Sequence, residues 1–388
     1  MDFQLNDEQQ AIRDEVRRLC ARFDDTYWRE HDRDHRFPEE FFRAMADGGW
    51  LGIAIPEAYG GSGRGITEAA LMMQEIAASG ACASGVTGIN VNVFGVNPLA
   101  KHGSEAQRTQ HLPQVARGEV KVCFGVTEPE AGLNTTMLKT RAVRQGDHYV
   151  VNGQKVWIST AQVADKILLL TRTTPLEDVK RPTDGLTLFY TDIDRKAMDI
   201  REIDKAGRAA VDSNEIFIEN LHIPEADRVG EEGRGFYYLL DGLNPERVLV
   251  AAQCLGIGQV ALRKASQYAK DRVVFGRPIG QNQAIQHPLA DSWAKLQAAE
   301  LLTYKAAWLY DNGLPCGPEA NAAKLLAAEW GWLTADRAMQ VHGGMGYSKE
   351  FHVERYWREA KIYRLAPISP ELILSFIAER VLGLPKSY

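Results

Sequence analysis

The stretch DGLNPERVLVAAQCLG, residues 241–256, sets one carboxylate, Glu246, beside Arg247 at the head of an apolar run. A carboxylate close to a substrate and partly withdrawn from water holds a proton more tightly than in solution, which a base for a weak carbon acid needs. The same residues also read as the start of a helix. Asn244 is a good N-cap, Pro245 suits the first helical position, and an acid in the first turn meets the positive end of the helix dipole. At this point the first-turn acid is the favoured reading of Glu246, and a base is the alternative.

Four further stretches carry polar groups at spacings that suit a large ligand. CFGVTEPEAGLNTTMLKT offers Thr127, the backbone amides around it and a glycine turn at Gly132, and GQKVWIST offers Trp157 followed by the hydroxyl of Ser159. Taken alone, the pair is a β-hairpin with Trp157 as its packed aromatic. DRVVFGRPIGQNQAIQHPLAD places Arg272 and Phe275 at a break between helices, and QVHGGMGY sets Gln340 ahead of Gly343 and Gly344. The glycine pair is either a helix C-cap or a place where backbone amides approach a pyrophosphate closely. No stretch has the GxGxxG or GxxxxGK pattern, so a nicotinamide or ATP fold is not supported.

The elements that must position these residues fall into three regions. Residues 1–119 show helical rhythm, as in AIRDEVRRLCARF and ITEAALMMQEIAAS. Residues 120–229 alternate, with short strands such as HYVVNGQKVWIS, DKILLLTRT, GLTLFYTDI and NEIFIENLHI between Asn-Gly, Asp-Gly or proline turns. Residues 230–388 return to long helical stretches with short connections, which predicts a bundle of about four helices. The 388 residues exceed what one core usually supports, so two or three domains are expected. A formal charge of -6 argues against a partner held by nucleic-acid phosphates. Five scattered cysteines without a CxxC pair fit a reducing compartment, the amino terminus reads as an amphipathic helix and not a signal peptide, and no segment reads as a membrane span. A cytoplasmic protein is expected.

In combination and in this order, PEAYGG, VTEP, NGQKVWIS, RVVFGRPI, QVHGGMGY and REAKIYR resemble the acyl-CoA dehydrogenase family over essentially the whole chain. The resemblance implies an α+β multidomain fold, with an amino-terminal helical domain, a middle β-barrel-like domain and a carboxy-terminal four-helix bundle. It implies a homotetramer with FAD at domain and subunit junctions. Carried over by position, Phe124, Val126, Thr127, Trp157, Ile158 and Ser159 surround the isoalloxazine ring, with Gly132, Leu133 and Ser369 also on the cofactor side. Arg272, Phe275, Gln283, Gln340, Gly343 and Gly344 hold the adenine and pyrophosphate end of a flavin in a neighbouring subunit. Thr127 and Ser159 are donors of the kind that stabilise a reduced ring, and Arg272 suits a pyrophosphate.

The implied activity is α,β-dehydrogenation of an acyl-CoA, in fatty acid or branched-chain acyl-CoA catabolism, with electrons passed to an electron-transfer flavoprotein. Much of the family takes its base from a Tyr-Glu-Gly-Thr motif, and in register with REAKIYR that glutamate falls on Pro367, within Leu365, Ala366, Pro367, Ile368 and Ser369. Glu371 lies four residues further on and would point differently. A minority, including isovaleryl-CoA and long-chain dehydrogenases, carries the base on the helix after the β domain, and its Glu-Arg pair falls on Glu246 and Arg247. The helix start would tolerate the ionised form. Leu133, Asn244 and Arg247 are assigned to the substrate, and Leu133 and Asn134 replace the serine and aspartate many relatives carry after the Thr-Glu-Pro. Two other readings of the scaffold are a flavin oxidase or monooxygenase and a non-catalytic acyl-CoA-binding flavoprotein.

Overall fold

The computed structural model describes residues 4–387. Among the described residues seven α-helices come first: α1 (Asp7–Cys20), α2 (Asp25–Asp34), α3 (Glu39–Asp47), α4 (Ile66–Ile76), α5 (Cys82–Asn90), α6 (Asn97–His102) and α7 (Glu105–Ala116). Their starts are set by local chemistry. The side chains of Asn6 and Ser104 each accept a hydrogen bond from the backbone N–H of the third residue of the helix they cap, and the side-chain oxygens of Gln9 and Gln107 in turn accept one from the cap backbone N–H.

Eight strands follow: β1 (Val122–Gly125), β2 (Arg141–Gln145), β3 (His148–Ser159), β4 (Lys166–Arg172), β5 (Leu186–Asp192), β6 (Met198–Glu202), β7 (Ser213–Pro224) and β8 (Arg228–Val229). They form one sheet in the order β6-β7-β3-β2-β4-β5-β8, with β1 parallel to β4. The long β3 slips register against β7 between Lys155 and Ile158, a bulge that matters below.

The remaining chain is α8 (Gly235–Asp271), a two-stranded hairpin of β9 (Val273–Val274) and β10 (Arg277–Pro278), then α9 (Gln283–Asp311), α10 (Gly317–His342), α11 (Val353–Ala360) and α12 (Pro370–Arg380). Helices α8, α9 and α10 are the long members of the bundle, and α11 and α12 pack against α10. The hairpin turns on Phe275 and Gly276, both with positive φ, as a two-residue turn of this hand requires.

Two expectations are corrected here. Asn244 and Pro245 do not open a helix: α8 starts at Gly235, so Glu246 sits about three turns inside it. Pro245 lies in the helix interior, where its ring removes one backbone bond without ending the helix. Also, α8 is long and apolar enough to cross a membrane by length and composition, although 78% of that window is buried inside the protein, as in a core helix.

The first and third regions share a single core, in which Val16, Phe41 and Met73 belong to one cluster with Val248, Leu255 and Ala327. A second cluster joins Leu99, Leu112 and Val115 to Leu168 and Leu188 across the sheet, and a third fills the sheet's other side. All five cysteines are free and buried. Helices α8 and α10 approach closely where a Cβ on Gly331 would lie 2.5 Å from the Cys254 carbonyl oxygen, so this contact sets their spacing. Gly331→Ala is expected to destabilise the protein by about 1–3 kcal/mol through overpacking, measured by denaturant unfolding. An unchanged unfolding midpoint would show that the spacing is set elsewhere.

Candidate active site

Glu246 lies deep within the protein yet keeps partial access to solvent. Among the described residues no hydrogen bond or ion pair is made to it. Burial pushes its pKa up to about 7, against the opposing pull of the Arg247 and Lys324 charges. Arg247 donates to the Asn244 side-chain oxygen at 3.0 Å, which draws the guanidinium back along the helix. Asn244 therefore holds an arginine in place and does not cap a helix.

Lys324 on α10 is completely buried and donates to the carbonyls of Tyr363 and Ile368, both at 2.7 Å. Its own pKa falls to about 8, chiefly by burial. This lysine clamps the segment that holds Pro367, where a base is absent, and sets a positive charge within reach of Glu246. Glu371 is exposed in the first turn of α12, and backbone and Ser369 hydrogen bonding keep its carboxyl below the usual value. It has neither the desolvation nor the raised proton affinity of a base. Ser369 accepts from the Leu372 amide at 3.4 Å as the cap of α12.

The sheet wall is held by a second buried lysine. Lys155 donates to the Glu128 carboxylate at 2.8 Å and the Val126 carbonyl at 3.0 Å, while Glu128 accepts the Thr140 amide at 3.0 Å. Thr127 is locked between them: its hydroxyl donates to the Val156 carbonyl at 2.5 Å, and its carbonyl accepts the Val156 amide at 3.0 Å. Phe124, Val126 and Ser159 are half-buried beside it.

Trp157 is not the packed aromatic of a hairpin core. It sits in the β3 bulge at φ 62° with 56% of its surface exposed, a strained conformation that turns a large ring outward. Ile158, by contrast, is buried in the sheet core, so only its backbone can face a ligand at this wall. Gly132 and Leu133 are exposed on the loop after β1.

Arg272, Phe275, Gln283, Gln340, Gly343 and Gly344 are all exposed. Arg272 ends α8 and Gly343 ends α10, and Tyr268 stacked on His342 at 4.2 Å brings those two ends together. A Cβ on Gly343 or Gly344 would meet nothing within 4 Å, and Gly343 has φ 58°, so this turn leaves open space over its backbone. An out-turned aromatic, a hydroxyl-lined wall and an open glycine turn beside an arginine fit the ring and phosphate ends of a flavin dinucleotide.

Lys324, Lys155 and Glu128 were not singled out from sequence, although a lone lysine inside AAKLLAA and inside a strand carried a signal: a buried lysine needs partners. Three family models match consecutive parts of the chain: acyl-CoA dehydrogenase N-terminal domain over residues 6–119, middle domain over 123–221 and C-terminal domain over 233–382. The chain belongs to the acyl-CoA dehydrogenase family. It is 36% identical to acyl-CoA dehydrogenase fadE12 of Mycobacterium bovis, covering 99% of this chain and 98% of that one. It superposes with a TM-score of 0.92 on butyryl-CoA dehydrogenase from Megasphaera elsdenii, at 30% identity over 98% of this chain and 100% of that one. The FAD complex of PigA matches with a TM-score of 0.91 at 25% identity, over 99% and 100% of the two chains.

The carboxylate form of Glu246 is lost as pH falls through about 7, so kcat/KM for a proton-abstraction step should drop tenfold per unit below that value and level off above it. Removing the Lys324 charge withdraws a force that lowers this pKa, so Lys324→Met should move the acid limb to higher pH. A limb near the ordinary carboxylate value, or one unmoved in the variant, would contradict the assignment.

Proposed function

We propose that the protein is an FAD-dependent acyl-CoA dehydrogenase that forms a trans-2-enoyl-CoA with Glu246 as the base. The observation that carries the reading is an unpaired, desolvated carboxylate deep on α8, in a chain whose usual base position is a proline. Glu246 takes the α-proton, which needs a base with raised proton affinity that no partner already occupies. FAD, when bound, supplies the acceptor for the hydride that leaves the β-carbon. Thr127, Ser159 and the backbone around Trp157 and Ile158 position the ring, while the Lys155–Glu128 pair fixes the strand end that presents them. Leu133, Asn244 and Arg247 border the thioester, with Arg247 held back by Asn244 so that Glu246 stays free.

A length supports oligomeric assembly. Glu246 and Arg272 stand 26 residues apart on one helix, about 39 Å along its axis, which is farther than one dinucleotide spans. The phosphate site at Arg272, Phe275, Gln283, Gln340, Gly343 and Gly344 therefore serves a ring held by another copy, as in a homotetramer. Electrons leave to an electron-transfer flavoprotein.

Glu246→Gln keeps the side chain's shape and removes its ability to accept a proton. FAD and acyl-CoA should still bind, seen as a perturbed flavin spectrum, while anaerobic bleaching slows by roughly a hundredfold or more. Glu371→Gln should bleach normally. Normal bleaching by Glu246→Gln, or loss confined to Glu371→Gln, would move the base elsewhere.

A further inference from the structure

A cavity of about 490 Å³ opens between the end of α2, the loop from β6 to β7, and the end of α10 with α11. That volume is within the range of small-molecule sites. Neither Glu246 nor the flavin-phosphate residues Arg272, Gln340, Gly343 and Gly344 line it, so it is separate from the dehydrogenation site.

The walls are tied to one another by charge. Arg358 on α11 reaches Asp32 of α2 at 2.8 Å and Glu354 at 2.6 Å, and donates to the Ala206 carbonyl of the loop at 3.2 Å. Asp32 also accepts the Ala209 amide at 3.1 Å, and Arg33 pairs with Asp34 at 2.6 Å. These groups are engaged and hold the cavity's shape.

Lys205 is a different case. It lines the cavity with only 10% of its side chain exposed, yet its one acidic neighbour, Glu202, stands 3.9 Å away, and its ammonium makes no hydrogen bond among the described residues. Burial pulls its pKa below the ordinary value, and the charge of Arg208 acts in the same direction. A mostly buried ammonium without a close acceptor is costly, and an anion entering the cavity would relieve that cost.

The remaining lining supplies the other parts of a recognisable ligand. Lys349 and Asp204 are exposed on the wall and make no hydrogen bond or ion pair among the described residues. Trp357 presents a half-buried ring, fixed in place because its indole N–H donates to Asp336 at 2.9 Å. Two lysines suit a phosphate, a free carboxylate suits ribose hydroxyls, and a fixed aromatic ring suits the face of a base.

We propose that this cavity is a second ligand site that takes a nucleoside monophosphate, with Lys205 and Lys349 on the phosphate, Asp204 on the ribose and Trp357 against the base. The assignment stands apart from the reaction at Glu246, and its test reads binding and not turnover.

The test is calorimetric titration of the FAD-loaded protein with AMP and with UMP, a purine and a pyrimidine nucleotide. At least one should bind saturably with a Kd of about 1 mM or tighter. Lys205→Gln should weaken that binding about tenfold, as expected for losing a charge-assisted hydrogen bond, and Lys349→Gln should weaken it severalfold. Lys349 is exposed, so its variant keeps the fold and decides the matter if Lys205→Gln does not fold. No saturable binding of either nucleotide up to about 10 mM overturns the proposal. So does an affinity unchanged in the variants, which would place the nucleotide elsewhere on the protein. Inorganic phosphate binding as tightly as the nucleotide would overturn the nucleoside class, and adenosine or uridine binding as tightly would remove the phosphate from the account.

Discussion

A carboxylate with no partner, held deep among apolar helices, is the constraint on which the rest of this structure depends. Glu246 costs the fold free energy whenever it is ionised. Raising its pKa from 4.5 to about 7 corresponds to roughly 3 kcal/mol at pH values above the higher figure and to none well below the lower one. That cost is also the chemical asset, because the same burial gives the group an affinity for protons that a surface carboxylate lacks. The surroundings keep the balance. Arg247 is close enough to favour the ionised form but is drawn off by Asn244, and Lys324 acts from α10 without forming an ion pair. A direct salt bridge to either cation would have lowered the pKa and occupied the oxygens a proton must reach.

Two completely buried lysines organise the walls around this carboxylate in the same physical way. Each is desolvated, each has its pKa lowered to about 8, and each donates to the backbone of a connecting segment. Lys155 fixes the chain after β1 to β3, and Lys324 fixes the segment before α12 to α10. Loops that line a site tend to be mobile. Here the site's loops are tied from behind by charges that have nowhere else to find hydrogen-bond acceptors. The close packing of α8 on α10 at Gly331 keeps the second clamp in register with Glu246.

Much of this architecture is legible in the sequence, because periodicity reports which face of an element is buried. The change from helical rhythm to alternation and back marks the three regions, and the Phe275–Gly276 turn and the open Gly343 turn occur where glycine and short breaks suggest them. What local signals misjudge is the start of α8. Asn244 and Pro245 have the composition of a cap, yet packing on both sides carries the helix through the proline, so a residue that looks like a first-turn acid is an interior one. Trp157 and Ile158 show the opposite limit. Their facing depends on a bulge in β3, and a bulge inverts alternation without leaving a mark in composition. Tertiary polar partners such as Lys324 with Tyr363, or Arg208 with Thr87, are brought together across long chain separations, and spacing carries no trace of them.

The central claim is that Glu246 alone moves the α-proton. Hydrogen exchange isolates that step from oxidation when the thioester has no β-hydrogen to lose. A CoA thioester with a β-thioether, incubated with the FAD-loaded protein in deuterium oxide, should incorporate deuterium at the α-carbon, followed by mass spectrometry. The account predicts catalysed incorporation by the wild type and by Glu371→Gln, and only the uncatalysed background with Glu246→Gln. Catalysed incorporation that persists in Glu246→Gln would contradict it.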